Sequence, residues 1–125
     1  MFARMTIMPI KLDRIDEAIR LYKKSVIPEA KRQAGFLGTC LLTDRQAGKG
    51  IAVTFWKDEK TALANEESRY YQEQLVKFIS LFAGPPIREG YEVSVHCFEA
   101  QAAPKSRRKT PKKTASGKKR TTPRL

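Results

Sequence analysis

The sequence predicts an α+β domain of the ferredoxin-like kind: a βαββαβ chain whose four-stranded antiparallel sheet carries its helices on one face. Three observations lead there. Alternating or β-rich segments stand near the start, middle and end of the first 98 residues. Two segments with apolar residues three and four apart separate them. The two middle β-like runs are joined by a short, turn-rich connector, as neighbouring antiparallel strands are.

Residues 2–8 alternate and stop at Pro9, which gives the first strand. From Leu12 onward, Ile15, Ala18, Ile19, Tyr22, Val26 and Ala30 share one helical face. Asp13 supplies a start signal, because its side chain can accept from unpaired first-turn amides. Pro28 lacks the amide for one internal bond, which predicts a kink or break, and Gly35 ends the helix. Residues 36–43 and 50–56 are β-rich, with Asp44 to Lys49 as a hairpin loop. A second helix starts after Trp56 with Asp58 as its cap, breaks near residues 65–68 and resumes through Phe82. Gly84-Pro85-Pro86 ends it. Residues 91–98 alternate cleanly and predict the last strand.

Charge divides the chain. Residues 101–125 carry ten Lys or Arg and no acid, whereas residues 1–100 carry 15 basic and 13 acidic groups, so the tail supplies +10 of the net +12. The expectation is a folded domain over 1–100 and a disordered basic tail over 101–125. That tail has no aromatic residue for base stacking, so any nucleic-acid contact is weak and sequence-blind; a solvated tail or a nuclear address are the other readings. No apolar stretch is long enough to cross a bilayer, and the first residues lack a signal-peptide core. No membrane partner and a cytoplasmic location are therefore expected. Cys40 and Cys97 lie in apolar β-like runs and read as buried free thiols. No phosphate loop and no metal-ligand spacing is present, so neither a metal nor a cofactor is expected.

Strand parity sorts the sheet into two faces. Ala3, Met5, Ile7, Ile51, Val53, Phe55, Val93, Val95 and Cys97 make a uniformly apolar face, expected to lie under the helices. Arg4, Thr6, Met8, Ala52, Thr54, Trp56, Ser94, His96 and Phe98 make a mixed face. Large apolar groups beside Arg and His suit a cavity closed by the sheet of a second copy, so a homodimer meeting sheet to sheet is expected.

The run from Ile51 to Ala62 (IAVTFWKDEKTA) resembles the strand-to-helix "TxWxSxEA" signature of antibiotic biosynthesis monooxygenase (ABM) domains. Pro28 followed by Gly35-Phe36-Leu37-Gly38 is similar to that family's entry into the second strand, and Glu67-Ser68-Arg69-Tyr70-Tyr71 resembles its "S..Y" helix. The likeness spans about residues 3–98. It implies a ferredoxin-like protomer forming a dimeric α+β barrel, with a small organic substrate bound between sheet and helices in active members. Quinone-forming oxygenases of the superfamily pair the strand Trp with an Asn four residues earlier and a Tyr six later; here Trp56 stands, but those positions are Ala52 and Ala62. Haem-degrading members use a first-strand Asn, a helix Trp and a helix His. Here Met5 or its neighbours replace the first, Asn65 the second, and the only His lies on the last predicted strand, which argues against haem breakdown.

His96 is the one side chain whose ordinary pKa lies near neutrality, so it is a candidate proton carrier; the plainer reading is an interface histidine. Arg4 can orient an anionic or enolate oxygen, or make a salt bridge at a dimer contact. Trp56 can stack on a planar substrate or close the end of the sheet. Thr6 and Thr54 share its face, Tyr70 offers a phenol to a pocket while Tyr71 belongs to the core stripe, and Asn65 faces the cavity or caps a helix. The expected function is cofactor-independent monooxygenation of a small aromatic or enolisable molecule, with His96 and Arg4 catalytic and Trp56, Thr6, Thr54, Asn65 and Tyr70 holding the substrate. The rival is a non-catalytic ligand-binding barrel whose tail tethers it to nucleic acid.

Overall fold

In the computed structural model, which describes residues 1–99, the strands β1 (Phe2–Pro9), β2 (Phe36–Asp44), β3 (Lys49–Trp56) and β4 (Ile87–Glu92) form one antiparallel sheet in the order β2-β3-β1-β4. The helices α1 (Ile15–Leu21) and α2 (Ile27–Ala30) precede β2, and α3 (Glu59–Glu67) and α4 (Tyr70–Val76) follow β3. This is the expected ferredoxin-like α+β fold. Met1–Ser94 is one compact unit, and the second begins at Val95. The basic run 101–125 lies outside the described residues. Among the described residues, no helix is long and apolar enough to cross a membrane.

The first helical segment shows what Pro28 does. Between α1 and α2 the chain widens into a π-helical turn, Tyr22–Val26, where the Ile27 amide donates to the Tyr22 carbonyl five residues back. Pro28 then sits in the first turn of α2, where a missing amide costs little. Asp13 is not the cap expected of it. It lies inside a 3-10 turn, Leu12–Arg14, and no side chain caps that turn or α1. Asp58 does cap α3: the Thr61 amide donates to its carboxylate at 2.8 Å, completing a capping box.

Three expectations are corrected. The last strand is not 91–98 but Ile87–Glu92, starting directly after Pro86. Its register on β1 decides this: Ile7 faces Ile87, Phe2 faces Glu92, and the Val93 amide closes the ladder on the Met1 carbonyl. Gly90, an unpromising strand residue in sequence, gives space to the Phe2 ring, which a Cβ would meet at 2.7 Å. The cysteines are both exposed rather than buried. Cys40 sits on β2 opposite Val53, and Cys97 lies beyond the sheet.

The third correction turns the sheet over. Parity groups the β1 and β3 residues as expected, but the mixed face is the one under the helices. Arg4, Thr6, Met8, Ala52 and Trp56 are buried there, Trp56 at 0% exposure. The uniformly apolar face of Met5, Ile7, Ile51, Val53 and Phe55 is half-exposed, and its neighbours Leu42 on β2 and Ile87 and Tyr91 on β4 are exposed. Parity decides which residues travel together; it is blind to which side the helices cover, because the partners of Arg4 and Thr6 come from helices some 60 residues away in sequence.

Two positions share the left-handed backbone and make opposite predictions. Gly35, at the entry to β2, has φ +80°, and a Cβ there would meet the Thr61 Cβ at 2.6 Å. Arg69, between α3 and α4, is the one non-glycine residue with positive φ (75°) among the described residues. Gly35→Ala is expected to lower stability by about 2 kcal/mol or more, from strain and overlap together. Arg69→Gly is expected to raise it by up to about 1 kcal/mol. Denaturant titration of both variants checks the two signs.

Candidate functional site

Inward-facing residues of β1 and β3 form the floor of a cleft, and the helices form its walls. Arg4, Thr6 and Met8 come from β1; Ala52, Thr54 and Trp56 come from β3. Across from them, the π turn and α2 contribute Tyr22, Val26 and Ala30, while α4 and the residues after it contribute Tyr70, Tyr71, Gln74, Leu75 and Phe78. The helical periodicity of each segment is what aims these side chains at the sheet.

Arg4 is the electrostatic centre. Its guanidinium carbon lies 5.0 Å from the Trp56 ring centroid and 4.5 Å from that of Tyr71, so the cation is held against two aromatic faces. It donates to Glu66 at 3.4 Å and to the Ala62 carbonyl at 3.5 Å, and Arg88 approaches the same Glu66 carboxylate at 3.6 Å. Burial pulls the proton affinity of Arg4 down, and the Glu66 carboxylate opposes that only in part.

Most other polar groups in the cleft are tied down within the protein. Thr6 and Tyr71 share a hydrogen bond of 2.9 Å, and the Trp56 indole donates to Thr54 at 2.9 Å. Tyr22 pairs with Thr39, and Gln74 donates to Glu29 at 3.0 Å. Tyr70 differs: its hydroxyl oxygen is buried and has no hydrogen-bond partner among the described residues. Burial first, then the Glu29 carboxylate, pushes its pKa up to about 12. Burial raises Tyr22 and Tyr71 as well, so all three phenols stay protonated at neutral pH and none of them serves as a base there.

The cleft is narrow. Its free volume is about 50 Å³, against the ~150 Å³ that accepts benzene in an engineered cavity. A ring-sized ligand therefore enters only as a wall moves. Trp56, Tyr71, Phe78 and Tyr22 are buried, whereas Tyr70 and Leu75 are only partly so, and those two are the walls free to shift.

Of the sequence-predicted residues, Arg4, Thr6, Thr54, Trp56 and Tyr70 meet in this cleft. Asn65 does not: it donates to Gln33 at 3.0 Å and lines a separate hollow with Ala34 and Thr61. His96 falls in the second unit. It is exposed on the stretch after β4, with its ring 5.5 Å from that of Phe98, because the strand meant to carry it ends at Glu92. Tyr22, Tyr71 and Phe78 were legible only as helix-face core residues. Glu66 carried no signal, since its partner lies 62 positions away. Among the described residues, no three His, Cys, Asp or Glu side chains converge as metal ligands.

No family model matches the sequence. An uncharacterized protein of Mycobacterium tuberculosis, in two strains, is 32% identical over 97 residues; the match covers 74% of this chain but only 41% of that protein's length. Solved structures resemble the fold more broadly. A monooxygenase of Streptomyces coelicolor, in complex with nanaomycin D, superposes with a TM-score of 0.64 at 14% identity, covering 79% of this chain and 92% of that one. An antibiotic biosynthesis monooxygenase gives a TM-score of 0.61 at 14% identity over 76% of this chain and all of its own (100%). The strand order, the helices on one face and these superpositions agree: the chain has the ABM fold.

Proposed function

We propose that the sheet–helix cleft binds a small aromatic or enolisable molecule, and that the chain oxygenates it without metal or flavin as a homodimer. One observation carries the reading: a desolvated cation, Arg4, in a cleft walled by Trp56, Tyr71, Tyr70, Tyr22 and Phe78. Aromatic walls hold a flat ring, and a buried positive charge lowers the cost of ionising a hydroxyl on it. The resulting enolate carbon bonds dioxygen to give a hydroperoxide; its O–O bond breaks as that carbon loses its hydrogen as a proton, which leaves a carbonyl on carbon and releases the other oxygen as water, the electrons coming from the substrate. The monooxygenase names of structures sharing this fold support the reading at the level of reaction class.

The roles shift from those expected. Arg4 is the charged group of the cleft, with Trp56 as the stacking surface and Thr6 and Thr54 as anchors that hold Tyr71 and Trp56 in place, whereas His96 belongs to the second unit. Among the described residues no carboxylate or imidazole lines the cleft, and its phenols are held protonated. The substrate must then bring an acidic hydroxyl of its own. That same lack of a base favours the second reading, a non-catalytic ligand-binding barrel. Tethering of such a barrel to nucleic acid would fall to the tail, outside the described residues.

The dimer is read from the open sheet face. Met5, Ile7, Ile51, Val53, Leu42 and Ile87 leave apolar surface in water on the side away from the helices, and a second sheet is a partner of matching shape and chemistry.

A panel of hydroxylated polycyclic aromatics, followed by oxygen uptake, tests the reaction. Turnover is expected, and Arg4→Gln should lower kcat about 100-fold, as loss of an oxyanion-stabilising group does. Uptake indistinguishable from buffer across the panel, with binding retained, would leave the ligand-binding reading standing. Because the substrate ionises itself, activity should rise with pH through the substrate's own pKa and move when a more acidic analogue is used; a profile fixed across analogues contradicts this. Light scattering after size exclusion should give twice the chain mass, falling to a single chain for Val53→Lys; a monomeric parent rejects the dimer.

A further inference from the structure

Among the polar side chains lining the cleft, one hydroxyl has been left over. Arg4, Thr6, Tyr22, Thr54, Trp56, Tyr71 and Gln74 all have hydrogen-bond partners within the protein. The Tyr70 hydroxyl has none among the described residues, although its oxygen is buried. A buried hydroxyl with no partner costs free energy that a native core seldom tolerates without a reason. Its placement also depends on strain. Arg69, immediately before it, occupies the left-handed backbone region at φ 75°, and α4 starts afresh from there so that Tyr70 and Tyr71 both line the cleft. Such strain gathers at ligand clamps.

We propose that the Tyr70 hydroxyl is the specificity contact of the cleft, donating a hydrogen bond to one neutral acceptor oxygen, of the ketone kind, on an otherwise apolar flat ligand. This rests on reading the cleft as a small-molecule site. A protonated phenol is a donor, and Tyr70 stays protonated far above neutral pH. The Glu29 carboxylate whose field acts on Tyr70 disfavours a second anion at that end, so a carbonyl suits it better than a carboxylate. Val26, Ala30, Leu75 and Phe78, which line the same cleft, offer no competing donor from their side chains, and the donors of Tyr22 and Gln74 are taken up within the protein. Recognition there is then a matter of whether the ligand carries an acceptor to meet one hydroxyl.

The test uses two bicyclic probes that differ by a single carbonyl, 1-tetralone and tetralin, titrated into the full chain. The indole N–H resonance of Trp56, the only tryptophan, reports occupancy. The parent chain should bind the ketone about tenfold more tightly than the hydrocarbon, and Tyr70→Phe should abolish that margin while leaving the hydrocarbon's affinity within about twofold. The melting temperature of Tyr70→Phe should equal or exceed that of the parent, since the deleted group had no partner to lose. A parent with no preference for the ketone, a margin that survives in Tyr70→Phe, or a lower melting temperature overturns the proposal while the cleft remains a binding site. Failure of both probes to shift the Trp56 signal overturns the small-molecule reading with it.

Discussion

A guanidinium taken out of water must be paired, and the pairing of Arg4 organises this domain. The side chain starts on β1, lies against Trp56 of β3 and Tyr71 of α4, and ends on Glu66 and the Ala62 carbonyl of α3. The first strand and three consecutive elements some 50 to 70 residues later therefore meet at one cation. Removing one partner of a buried ion pair costs about 3–5 kcal/mol, because the remaining charge is stranded. That is a large share of the stability of a domain this small. The requirement also orients the sheet: Arg4 finds its partners only if its face lies under the helices, and the rest of the β1 and β3 parity set must follow it inward.

The cleft inherits its chemistry from that arrangement. Its polar groups are mostly occupied in holding one another, Thr6 with Tyr71 and Thr54 with Trp56, so the rings are rigid and little hydrogen-bonding capacity is left for a ligand. The two helical layers are both irregular where they border it. A π turn carries Tyr22 and Val26, and the left-handed Arg69 precedes Tyr70 and Tyr71.

On the other side, β2, β3, β1 and β4 present Leu42, Val53, Ile7 and Ile87 outward, with Glu89 beside Met5 at the β4 edge. Burying such a patch stabilises by roughly 25 cal/mol per Å² of apolar area removed from water. The helices occupy the opposite face, and the second copy proposed above would supply that cover.

Much of this was legible in the residues. The order of elements, the hairpin between β2 and β3, the Asp58 cap and the turn at Gly35 follow from local rules of backbone geometry, capping and periodicity. So does the parity that groups Arg4, Thr6, Thr54 and Trp56. The placement of β4 was not legible, because residues 91–98 alternate better than 87–92; pairing with β1 outweighed the pattern. Asn65 was drawn toward the site by chemistry alone, and the backbone carries it to a separate hollow; His96 was placed by a strand that ends at Glu92. Which side chains share a face was therefore readable from residue order, since that depends only on the two-residue period of a strand. Which face is inside was decided by the tertiary structure, because a buried charge goes where its partner is, and Glu66 is a neighbour of Arg4 only in space.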